Sequence, residues 1–165
     1  MVAQTHGATL TGIEALPVLV EVDFFGSQQA NFKIVGLPDK AVQESTERVR
    51  MAIRNSDLKL FNQMIICNLA PGDLRKEGPP LDLPIAAAVL AGHEKIVASE
   101  LEGTMIVGEL GLDGSVRGVD GAVSIALMAA ARGFRRLIVP EMNAQEAAVA
   151  PGIDVYGVAS LRDLM

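Results

Sequence analysis

The sequence has no tryptophan, one tyrosine and five phenylalanines in 165 residues, which implies an aliphatic core and counts against an aromatic platform for stacking single-stranded nucleic acid. Its one cysteine, Cys67, lies in the apolar run MIICNLA and cannot belong to an internal disulfide framework. A buried core thiol is expected there. The two histidines, His6 and His93, have no second histidine, cysteine or paired carboxylate at ligand spacing, so no metal site is assigned. With 14 Lys and Arg against 20 Asp and Glu, the net charge is −6. That excludes a nonspecific nucleic-acid clamp over the whole surface and leaves room only for a local basic patch.

Positive charge is also missing from the amino terminus, where the first basic side chain is Lys33, and no apolar run reaches bilayer-spanning length. A cytoplasmic protein with no membrane partner is the expectation. The chain contains no GxxxxGK[ST] phosphate loop, so no residue here is assigned to a nucleotide or any other cofactor.

What is present is half hydrophobic and long enough to bury one substantial core. Residues 8–25 alternate as paired strands about a turn near Glu14 to Pro17, and Gly26 to Gln29 forms a polar turn. Phe32, Ile34 and Leu37 continue the sheet, after which Pro38 and Asp39 open a helix with Val42, Val49 and Ile53 on one face. Arg48, Arg50 and Arg54 accompany that face. Glu44 and Glu47 stand at pairing distance from Arg48 and Arg50, which favours a solvated surface over a nucleic-acid site.

Residues 62–70 read as a strand, and the segment DLRKEGPPLDLP, Asp73 to Pro84, as a charged, proline-stiffened loop leading into a helix buried nearly all round, Leu83 to Ala91. Asp82 is placed to accept from the first N–H groups of that helix. Beyond it, TMIVGELGL is strand-like, Asp113 and Gly114 give a two-residue hairpin signal, and Ala122 to Ala131 is a helix. Leu137 to Val139 is a strand, Asn143 a helix cap, Ile153 to Gly157 a strand, and Ser160 to Met165 a first helical turn. The pattern gives an α+β sandwich without a dividing linker.

The blocks GLPDKAVQESTERVRMAIRNS, NLAPGDLRKEGPPLDLPIA, VGELGLDGSVRGVDG and GFRRLIVPEMNAQEA resemble, in order, the N-terminal domain of magnesium-chelatase-like AAA+ ATPases, the ComM group. The resemblance implies one Lon-like domain over residues 1–165, of the ribosomal protein S5 domain 2-like class and similar to the Lon proteolytic domain. It also implies a longer protein whose AAA+ motor, with its ATP and Mg, is absent from this chain. The chelatase part of the family name is expected to belong to that motor. The recombination protein RadA carries a related module.

Lon proteases use a serine nucleophile and a lysine base. By resemblance the serine position after Lys76, Glu77, Gly78 and Pro79 is Pro80, and the lysine position after Gly108, Glu109, Gly114, Asp120 and Gly121 is Val123. Shifting the match by one residue brings Leu81, Ala122 or Ser124, which supplies no dyad. Acyl transfer needs a hydroxyl within reach of an amine whose pKa burial has lowered. Ser45 with Lys40 and Ser115 with Lys76 are weaker substitutes. A noncatalytic accessory or scaffold domain is therefore expected, with a Lon-like Ser/Lys peptidase as the alternative. For the whole protein the resemblance implies a hexameric ring acting on DNA, in branch migration during natural transformation. Arg75, Lys76 and Arg117 are the candidate contacts to DNA or to the motor.

Overall fold

The computed structural model describes residues 2–26, 29–60 and 62–165; the middle of the turn expected at Gly26 to Gln29 lies outside them. A seven-stranded mixed sheet organises the fold. Strands β1 (Ala3–Thr11) and β2 (Glu14–Gly26) form a long antiparallel hairpin. Strand β4 (Gln63–Ala70) pairs antiparallel with β2, and β3 (Asn31–Val35) lies parallel outside β4. On the far side of β1, strands β5 (Thr104–Ile106), β8 (Arg136–Pro140) and β9 (Asp154–Val158) follow in parallel. Strands β6 (Glu109–Leu110) and β7 (Val116–Arg117) make a separate small hairpin.

Helices cover both faces, as the period of two along each strand requires. Helices α1 (Lys40–Asn55) and α2 (Asp82–Gly92) share one hydrophobic cluster with Val18, Val20, Val22, Cys67, Leu69 and Ile106. Helix α3 (Ala122–Ala131) and the short α4 (Ala144–Ala147) share the other with Ala8, Met105, Leu137 and Val139. Neighbours such as Met105 and Ile106 thus face opposite layers. The result is the expected α+β, S5-like architecture. Cys67 has no exposed surface, and burial, followed by the charge of Glu21, pushes its thiol up to about 12.

Helix α1 forms where its apolar spacing puts it: Val42, Val49 and Ile53 are fully buried, and Asp39 caps it by accepting from Val42 N–H at 2.8 Å. Helix α2 is buried from Asp82 to Ala91 and can lie close to the sheet because it is rich in alanine and passes over Gly7. A β-carbon at Gly7 would stand 2.8 Å from Leu81 Cδ2 and 2.9 Å from Pro84 Cγ. Thr5 Oγ1 donates to the Pro84 carbonyl beside it at 2.9 Å, fixing the register of helix on strand.

Several local expectations are corrected. The first hairpin turns at Gly12 and Ile13, where Gly12 takes φ 63°, and not at Glu14 to Pro17. Pro17 is tolerated inside β2 because β4 begins to pair only at Leu19, so one side of the strand has no ladder partner there. Leu37 leaves the sheet, with φ 54°. The second hairpin has a three-residue loop, since Gly111 N–H donates to Ser115 O at 2.9 Å beyond the Asp113–Gly114 pair. Asn143 caps nothing with its side chain, which clamps the Val119 backbone instead, accepting from N–H and donating to C=O, both at 2.9 Å. Leu161–Leu164 is a 3-10 turn, capped by Ser160 in a capping box with Asp163.

Candidate functional site

The charged, proline-rich loop is held on both flanks before it reaches α2. Lys76 N–H donates to Leu37 O and Asp39 N–H to Lys76 O, at 3.0 and 2.9 Å. Glu77 N–H donates to Thr9 Oγ1 at 3.0 Å, and Gly78 N–H to Asp39 Oδ2 at 3.1 Å. Gly78 takes φ 80°, a conformation that favours glycine. A 3-10 turn, Pro79–Leu81, follows and is latched to the strand beyond: Gly108 N–H donates to Pro80 O and Leu83 N–H to Gly108 O, both at 3.0 Å. The loop is thus tied by backbone hydrogen bonds on both sides.

Between this loop and the lip Gly118 to Asp120 lies an open cleft of about 270 Å³, floored by Ala8 and Leu10 of β1 and Ile125 of α3. Pro80 lines it where the serine is expected. Val123, in the first turn of α3, stands half-buried outside the lining. The polar side chains lining the cleft are Glu77, Glu109 and Asp120, and among the described residues no lining side chain carries a hydroxyl, thiol or amine. Acyl transfer through a serine and lysine therefore has no reacting group at this position.

The substitute dyads do not form. Ser45 has no exposed surface and donates to Asp82 Oδ1, while Lys40, five residues back on the same helix, is exposed on another face. Ser115 Oγ donates to Asp113 at 2.6 Å, and the Lys76 ammonium donates to the Pro71 carbonyl.

Arg75 and Arg117 do not line the cleft; both are exposed, the first 3.9 Å from Glu77 and the second 3.8 Å from Glu109, two carboxylates that do. Lys76 corrects the expectation of an outward contact. It is fully buried, its ammonium turned back under the loop, and burial lowers its pKa against a smaller opposing effect of Asp73. A lysine between charged neighbours reads as exposed in sequence, but the backbone ties at Leu37 and Asp39 point it inward.

Sequence reasoning also missed the buried group behind the loop. Asp82 does not cap α2. Its carboxylate accepts from Ser45 Oγ, from Arg48 Nε at 2.7 Å and Nη2 at 3.0 Å, and from Leu110 N–H at 3.1 Å. The bidentate pair raises the Arg48 pKa, with the Asp82 hydrogen bond the main cause. The Asp82 carboxylate therefore ties α1, α2 and β6 together, Arg48 braces it from α1, and the Arg48 pair with Glu44 at 3.8 Å is secondary. The only signal was the spacing of Ser45 and Arg48 at i and i+3, which puts them on one helix face.

Among known proteins, the family model described as subunit ChlI of Mg-chelatase matches residues 20–143. That match falls on this chain itself, which corrects the expectation that the chelatase resemblance lies outside it. The competence protein ComM of Haemophilus influenzae is 40% identical over 154 residues, 93% of this chain and 30% of that protein. The protein YifB of Salmonella typhimurium is 44% identical over 144 residues, covering 87% and 28%. The DNA repair protein RadA of Halalkalibacterium halodurans is more distant, 30% identical over 119 residues, covering 72% and 24%. The chain spans about a third or less of the length of these relatives. With the model match over most of its residues and ComM and YifB alike along nearly all of them, the chain belongs to the Mg-chelatase subunit ChlI family, in its ComM-like group.

Proposed function

We propose that residues 1–165 form a noncatalytic accessory domain that positions or couples the AAA+ motor of a longer ComM-like ATPase. The observation that carries this reading is the cleft beside Pro80, lined among the described residues without hydroxyl or amine. ATP and Mg belong to the motor, the protein works as a cytoplasmic hexameric ring, and its substrate is DNA undergoing branch migration during natural transformation. Two relatives' names support the DNA part, one a competence protein and one a DNA repair protein. No helix among the described residues is long and apolar enough to cross a membrane.

Arg75 and Arg117, exposed beside the cleft carboxylates Glu77 and Glu109, are the side chains offered to a motor or to DNA. The test is the Arg75→Ala/Arg117→Ala variant of the full-length protein, assayed for DNA-stimulated ATP hydrolysis. Altered stimulation with an unchanged basal rate is the expected result. Unchanged stimulation would remove both residues from the coupling role.

A further inference from the structure

A second concavity lies away from the cleft, beside the C-terminal turn of α1, with a volume of about 480 Å³. Arg50, Arg54 and Lys59 line it over an apolar floor that includes Ile53 and Leu60. Arg50 and Arg54 are four residues apart on α1, so their side chains leave one helix face about 6 Å apart along the axis. Lys59 extends the row past the helix end. Among the described residues none of these three cations is in an ion pair, and the pairing of Arg50 with Glu47 expected from their spacing is not formed.

The one carboxylate in the lining is already engaged. Asp57 accepts from Arg162 Nη2 at 2.5 Å, while Arg162 Nε donates to the Ser56 carbonyl at 3.1 Å. Arg162 thereby brings a fourth cation to the rim and occupies one of the exposed carbonyls at the negative end of the helix, the feature that would otherwise oppose an anion. In a protein of net charge −6, this is a local inversion of sign. A row of cations, two of them at one-turn spacing on α1, matches a chain of regularly spaced anions better than a single compact one.

We propose that this groove binds the phosphodiester backbone of a DNA strand. The proposal rests on the DNA part of the function proposed above and moves the contact from the loop to α1. The cations on this face address the backbone by charge, which is tolerant of sequence.

The experiment measures binding of the 165-residue chain to a mixed-sequence single-stranded DNA of about 16 nucleotides across a salt series. The Arg50→Ala/Arg54→Ala/Lys59→Ala variant is expected to bind about tenfold or more weakly, with a log–log salt slope shallower by about 2, from roughly 0.7 per lost phosphate contact. The charge-keeping Arg50→Lys/Arg54→Lys variant should retain the slope, which separates loss of charge from loss of fold.

An unchanged slope in the triple alanine variant overturns the groove. If Arg75→Ala/Arg117→Ala then lowers the slope, DNA binding by the domain survives at the loop. If the wild-type chain shows no salt-dependent binding, both the groove and direct DNA contact by this domain fall. Amide shifts confined to residues 50–60 on adding a poly-glutamate peptide, with none on adding the oligonucleotide, would overturn the proposal in favour of an acidic protein segment.

Discussion

The cleft beside Pro80 is lined by three carboxylates, and Arg75 and Arg117 outside it each stand within 4 Å of one of them. Beside α1, three cations and one carboxylate line the concavity among the described residues, and Arg162 from outside it already holds that carboxylate. The two concavities are thus opposite in what they leave over after internal pairing. Loop position and residue type alone assign DNA contacts to the first; the charge remaining after pairing favours the second. Exposed pairs such as Arg75–Glu77 are worth little in stability, about 0–1 kcal/mol, but their carboxylates repel phosphate wherever the arginine turns.

Helix α1 joins these regions, since one end lines the groove while Asp39 and Arg48 brace the loop that walls the cleft. The largest effect should come from cutting that brace. Arg48→Ala leaves the fully buried Asp82 carboxylate with Ser45 and Leu110 as its remaining partners, and should cost about 3–5 kcal/mol in urea unfolding. A loss below about 1 kcal/mol would mean that the two regions are not tied through this pair. Asp39→Ala removes the cap on α1 together with the tie to Gly78, with an expected loss of about 1–2 kcal/mol.

Smaller changes probe the charge contrast itself. Neutralising the cleft by Glu77→Gln, Glu109→Gln and Asp120→Asn should raise oligonucleotide affinity less than about threefold at 0.15 M salt, because screening acts over roughly 8 Å. A larger gain would place the strand in the cleft. The smallest effect concerns the scaffold. Burial lowers the pKa of His6, and burial followed by the charge of Lys95 lowers that of His93. A histidine depressed in the fold stabilises it fully above the unfolded value of about 6.5 and less as pH falls through that value towards the folded one. Melting temperature should therefore decline from about pH 7.5 to about pH 5.5, and His6→Gln should flatten the decline.

Much of this was legible in the sequence, and the limits have physical causes. The 3.6-residue period of Val42, Val49 and Ile53 located α1, the apolar run after Pro84 located a helix buried all round, and the four motif blocks placed Pro80 at the cleft. Asp82 was misread because its partners Ser45 and Arg48 are 37 and 34 residues away. Lys76 was misread because the ties that bury it come from Leu37 and Asp39. The groove was hidden for a similar reason: Arg50 has a carboxylate at helical spacing that it does not use, while Asp57 is taken by Arg162, 105 residues on. Local pattern fixes elements, whereas the fate of each charge depends on contacts distant in sequence.

The most direct measurement is intact-mass spectrometry of the chain after exposure to a serine-reactive fluorophosphonate. A cleft lined by prolines, carboxylates and aliphatic groups should give an unmodified mass at all exposure times. A stoichiometric adduct on any residue would contradict the noncatalytic reading and restore the peptidase.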